Sequence, residues 1–109
     1  MSTWEQLTIY IGESDRWQGE PLYMALVHQA RQHGITGATV TRGVAGFGQR
    51  QHGEIHTAQI FELASNLPMV VTLIDKSEAI AIFLPAVQKM VRAGIITQHT
   101  VTVMHYAQP

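Results

Sequence analysis

The chain has 109 residues, 46% of them hydrophobic, a formal charge of −1 and no cysteine. That length holds one domain, spanning 1–109, with a small core. The charge gives no general pull towards nucleic acid or an anionic membrane, and the missing thiols exclude disulfides, thiol catalysis and thiolate metal sites.

In "QLTIYIG" (6–12), Leu7, Ile9 and Ile11 alternate with Thr8 and Tyr10, the period of a strand. "ESDRWQ" (13–18) reads as a loop. Pro21 then stands at the first turn of a helix, after Gly19 and Glu20. Leu22, Ala25, Leu26, Ala30 and His33 recur at helical spacing, and Gly34 supplies a left-handed cap. "GATVTRG" (37–43) is a second strand.

The segment "RGVAGFGQRQHGEIHT", Arg42–Thr57, holds four of the nine glycines, two of the six histidines and two arginines. A two-residue turn would join neighbouring strands at less entropic cost, so a flexible functional loop over 43–57 is expected. "AQIFELASN" (58–66) fits neither period and reads as a short helical turn or irregular strand. "LPMVVTLID" (67–75) is apolar on both faces, through Val70, Val71, Leu73 and Ile74, as in a central strand or in a sheet covered on both sides. Asp75 and Glu78 have capping-box spacing before a helix that carries Ile80, Phe83, Leu84, Val87, Met90 and Val91 on one side. Pro85 should kink that helix or start a second piece, and Gly94 closes it. "TVTVMHY" (100–106) alternates as the last strand.

The order strand, helix, strand, strand, helix, strand is that of an α+β, ferredoxin-like βαββαβ sandwich, an antiparallel sheet with two helices on one face. Its other face would carry Thr8, Tyr10 and part of 70–74, and self-association over it is expected. "MSTWEQ" shows no basic region followed by an apolar one, and no apolar run approaches bilayer length. A cytoplasmic protein without direct membrane insertion is expected.

Gly43, Gly46 and Gly48 leave the backbone free beside Arg42 and Arg50, suited either to a concave anion site of main-chain amides or to a hairpin loop with nothing bound. The run lacks both the dinucleotide fingerprint and the lysine of a P-loop. His52 and His56 stand four apart, a metal-binding spacing on a helix, but Gly53 argues against a helix there. His28 and His33 cannot share a face well, and His99 and His105 lack an evident carboxylate partner. Ser14, Ser65 and Ser77 show no nucleophile elbow. Trp4 and Trp17 flank the first strand, placed either to stack on a planar ligand or to close the core edge, with packing the expected role. No catalytic constellation assembles, so an enzyme is the least supported class.

"YIGESD", "GEPLYMALVHQARQHGITGATVTRGVAGFG", "IHTAQIFELASNLPMVVTLID" and "AGIITQHTVTV" together resemble domain of unknown function family 190, a family of small PII-like proteins. The resemblance runs from about Tyr10 to Tyr106, and "GATVTRGVAGFG" and "LPMVVTLID" are its most specific parts. It extends more weakly to PII signalling proteins, in which a Gly-Phe-Gly turn opens a long loop that returns through a Leu-Pro strand. Here those are Gly46, Phe47, Gly48, Leu67 and Pro68.

The resemblance implies a PII-like homotrimer that binds a small anionic ligand, AMP, ADP, ATP or cyclic AMP, between subunits. The loop would report the bound state to a membrane transporter or enzyme partner. The residues it implies are Arg42, Gly46, Phe47, Gly48, Gln49, Arg50, Gly94 and Thr97. Two departures bear on this. Gln49–Arg50 stands where PII proteins have Arg-Gln, and the phosphate-gripping Gly-Asp-Gly-Lys turn is absent, with Gly94–Thr97 in its place. The alternative is a metal-responsive trimer that holds a divalent cation through His52 and His56.

Overall fold

The computed structural model describes residues 3–47, 56–57 and 66–109. Four antiparallel strands form the main sheet, in the order β4-β7-β1-β8: β1 (Trp4–Gly12), β4 (Gly37–Arg42), β7 (Pro68–Lys76) and β8 (Ile95–Val101). Helices α1 (Leu22–Gln32) and α2 (Ser77–Met90) make the two crossovers on one face. Two short ribbons are added, β2 (Arg16–Trp17) with β3 (Glu20–Pro21), and β5 (Ala45–Gly46) with β6 (His56–Thr57). This is the ferredoxin-like arrangement.

The core follows the strand and helix periods. Leu7, Ile9 and Ile11 of β1 and Met69, Val71 and Leu73 of β7 meet Leu22, Ala25, Leu26 and Ala30 of α1 and Ile80, Phe83, Val87 and Met90 of α2. Burying one such side chain stabilises by about 1.5–3 kcal/mol. β7 is central, flanked by β4 and β1, as its two-faced apolar pattern required. Trp17 packs against the core, and Trp4 meets Tyr106 edge to face at 5.2 Å, so both tryptophans are packing groups.

Four expectations are corrected. The last strand is Ile95–Val101, not 100–106; it pairs with β1 from Tyr10↔Ile95 to Trp4↔Val101, and β1 ends its pairing there. The supposed loop 13–18 includes β2, half of a tight hairpin. Asp75 makes no capping box. It is buried within β7, where Oδ2 accepts the Thr36 N–H at 3.0 Å and Oδ1 the Lys76 N–H at 2.6 Å, and it ties the start of β4 to the end of β7. Lys76 is the α2 N-cap and gives no side-chain cap bond, while Glu78 remains in the first turn, favourable to the helix dipole. Pro85 starts no second piece: α2 runs from Ser77 to Met90 across it, although the ring removes one main-chain donor.

Two buried acids were missed, Glu5 and Asp15. Glu5 sits on the same side of β1 as Leu7 and accepts from Ser77 Oγ, Thr100 Oγ1 and Gln98 Nε2 at 3.1, 3.1 and 3.4 Å. Starting the strand at residue 6 concealed Glu5.

Candidate functional site

β4 leads directly into the glycine-rich segment, and neighbouring strands hold its base. The Gly43 N–H donates to the Pro68 carbonyl at 2.7 Å. Gly46 has φ +152°, and a Cβ there would come within 3.1 Å of the Pro68 ring. That close approach explains the glycine without any ligand. β5 then pairs with β6 through Ala45↔Thr57 and Gly46↔His56, which makes the segment a hairpin at its root. Phe47 is 61% exposed and Val44 77%, an apolar pair beside the turn. Gly48, Gln49, Arg50 and His52 lie outside the described residues, and His56 is placed by its backbone alone.

Arg42 is not a free cation. Its Nη2 donates to Glu13 Oε2 at 2.7 Å. Glu13 is held in turn by its own N–H, which donates to the Leu67 carbonyl at 2.8 Å, and the neighbouring Ser14 N–H donates to Asn66 Oδ1 at 2.9 Å. The segment's outgoing and returning limbs therefore meet the β1 loop at one place.

Gly94 has φ +146°, and a Cβ on it would collide with the Tyr10 carbonyl, so packing also explains this glycine. Thr97 pairs with Thr8 and lies exposed on the helix-free face. The register sets the relation between the two groups. Arg42 pairs with Met69, Met69 with Ile11, and Tyr10 with Ile95, the residue after Gly94. Arg42–Gly46 and Gly94–Thr97 thus occupy the same end of the sheet but opposite edges, three strand spacings apart, roughly 14 Å. One subunit does not bring them together.

The helix-free face is ordered in rows. Thr39, Thr72, Thr8 and Thr97 pair across all four strands. The next row is Thr41, Val70, Tyr10 and Ile95, of which Tyr10 is 46% and Ile95 47% exposed. Among the described residues, no group of three or more His, Cys, Asp or Glu side chains could hold a metal ion. No helix among them is long and apolar enough to cross a membrane.

The architecture is that of the PII-like proteins. The chain superposes on CPII, a nitrogen regulatory PII-like protein from Thiomonas intermedia K12 in a structure bound to ADP, AMP and bicarbonate, with a TM-score of 0.68 at 12% identity over 94% of this chain and 90% of that one. A protein of unknown function from Pediococcus pentosaceus matches with a TM-score of 0.56 at 12% identity over 99% of both chains. The particular family is fixed by sequence: residues 4–103 match the DUF190 model, described as uncharacterized ACR, and the chain belongs to that family. Its relatives include a UPF0166 protein of Aquifex aeolicus, 38% identical over 91% of each chain. Another, from Methanocaldococcus jannaschii, is 35% identical over 79% of this chain and 77% of the relative.

Proposed function

We propose that this is a PII-like regulatory protein that assembles as a homotrimer and binds a small anionic ligand, an adenine nucleotide, at the cleft between subunits. The observation that carries this reading is the placement of Arg42–Gly46 and Gly94–Thr97 on opposite edges at one end of the sheet. A head-to-tail contact sets one edge of a subunit against the other edge of its neighbour, and such contacts close into rings. In a ring the two groups meet at each seam.

Main-chain amides from the Gly46–Gly48 turn, Gln49 and the Arg50 guanidinium face the ligand from one subunit, and Gly94–Thr97 from the next. The half-exposed Tyr10 and Ile95 and the threonine row supply the surface that the copies bury. The ligand sets the conformation of the 43–57 segment, which presents a surface, including Val44 and Phe47, to a transporter or enzyme partner. The nucleotides bound to the structurally similar CPII support the choice of ligand class.

Calorimetric titration with AMP, ADP, ATP and cyclic AMP tests the proposal. Micromolar to sub-millimolar binding of at least one, at one site per subunit, is expected. Absence of binding by all four up to millimolar concentration removes the adenine assignment.

A further inference from the structure

We propose a second ligand site, within a single subunit, for a small organic oxyanion: an oxyanion head on an apolar body. A cavity of about 300 Å³ lies between the β2–β3 hairpin and the turn that follows α2, lined by Asp15, Arg16, Leu22, Met90, Arg92 and Ala93. That is roughly ten water volumes, room for a compact molecule rather than for a single ion. Leu22, Met90 and Ala93 offer it an apolar wall. Arg16 and Arg92 bring two guanidinium groups from separate parts of the chain to one opening, and guanidinium forks pair with the oxygens of carboxylates and phosphates.

The cationic side is built rather than incidental. Arg16 Nη2 donates to the Gly19 carbonyl at 2.7 Å, which fixes the guanidinium and leaves its other N–H groups for a ligand. The hairpin that carries it turns through Gln18 and Gly19, both at positive φ, 47° and 86°. This is the primed two-residue turn that matches strand twist. Gln18 takes on a conformation unfavourable for a side chain with a Cβ, and such strain collects at ligand clamps.

Asp15 shapes the floor. It is buried; its Oδ2 accepts the Gly12 N–H at 3.0 Å and its carbonyl accepts the Leu22 N–H at 2.8 Å. Across the opening, the turn that bears Arg92 passes so close to the Tyr10 carbonyl that Gly94 has no room for a Cβ. Two guanidinium charges against one carboxylate leave a net single positive charge, which matches a monoanionic carboxylate head better than a phosphate dianion. None of the six lining residues is assigned to the nucleotide, although Arg92 and Ala93 lead into Gly94, so the residues that respond to each probe distinguish the two sites.

The test is an NMR titration of the full-length ¹⁵N-labelled chain with hexanoate, acetate and inorganic phosphate as probes. Saturable shifts at Arg16, Leu22, Arg92 and Ala93 are expected with hexanoate, with roughly tenfold weaker binding of acetate, which lacks the apolar body. Arg16→Gln and Arg92→Gln should each weaken hexanoate binding by roughly tenfold while the rest of the spectrum stays unchanged. Both side chains are exposed, so folding should survive. Saturation by phosphate but not hexanoate overturns the carboxylate assignment. Absence of saturable shifts at these residues up to about 10 mM of any probe, or binding indifferent to both substitutions, overturns the site. Nucleotide shifts at Arg42–Phe47 and Gly94–Thr97, with none at Arg16 or Leu22, would leave the nucleotide reading standing without it.

Discussion

Arg42 Nη2 lies 2.7 Å from Glu13 Oε2, so the arginine that opens the glycine-rich segment is already paired with the loop that follows β1. In the proposed site a ligand phosphate would compete with that carboxylate for the guanidinium. The pair is partly solvated, 56% and 22% exposed, and such pairs contribute up to about 1 kcal/mol. Glu13→Gln should therefore tighten nucleotide binding by about two- to fivefold, read by calorimetry. Weaker binding in this variant would mean that Glu13, and not Arg42, faces the ligand.

Among the described glycines, Gly94 has the least tolerance for a side chain. Gly94→Ala forces a Cβ against the Tyr10 carbonyl at φ +146°, and should destabilise the chain by about 1–3 kcal/mol. Urea unfolding measures it. An unchanged midpoint would show that the turn relaxes without loss.

Asp75 accepts two main-chain N–H groups from a buried position. Asp75→Ala leaves the Thr36 and Lys76 amides without their acceptor and should cost about 1–3 kcal/mol. Hydrogen exchange at Thr36 should rise in the same variant, because its N–H loses a long-range partner.

Pro85 gives a change of opposite sign. It lies exposed inside α2 and removes one helical donor. Pro85→Ala should stabilise the protein by roughly 1–3 kcal/mol, seen as a higher denaturant midpoint with an unchanged slope.

The proposed assembly buries the helix-free face. Thr72 lies half-buried at the centre of the threonine row, between Thr39 and Thr8. Thr72→Lys places a charge there, and burying an unpaired charge between copies is prohibitive. The variant should remain folded by circular dichroism and fall to single chains by light scattering. Retention of the parent mass would place the contact elsewhere.

Where a periodic pattern met a neighbour on each side, the sequence was readable. β1 alternates because one of its faces meets the helices; β7 alternates in burial though its sequence is apolar on both faces, and α1 and α2 show the matching 3.6-residue stripe. β8 was misplaced for a physical reason: it is an edge strand, and most of Ile95–Val101 is exposed, so its pattern is weak. Residues 102–106 alternate better, yet have no strand to pair with. The β2–β3 hairpin has two residues per strand, too few for any period. At the candidate site, the glycines were legible as special positions, but not their reason, which is the approach of Pro68 and of the Tyr10 carbonyl from distant parts of the chain. Nor could spacing show that Glu13 holds Arg42, or that Arg16 and Arg92 share a cavity, since both relations arise only when the fold closes. The Gly48–Arg50 portion of the expected site lies outside the described residues.

Native mass spectrometry of the full chain with and without AMP or ADP tests the central claim most directly. A site shared between two sheet edges needs a neighbouring subunit, and the proposed PII-like homotrimer is a particle of about 36 kDa, three times the 12.1 kDa chain, carrying up to one nucleotide per subunit. A particle of 12.1 kDa at every concentration, with or without nucleotide, would contradict it.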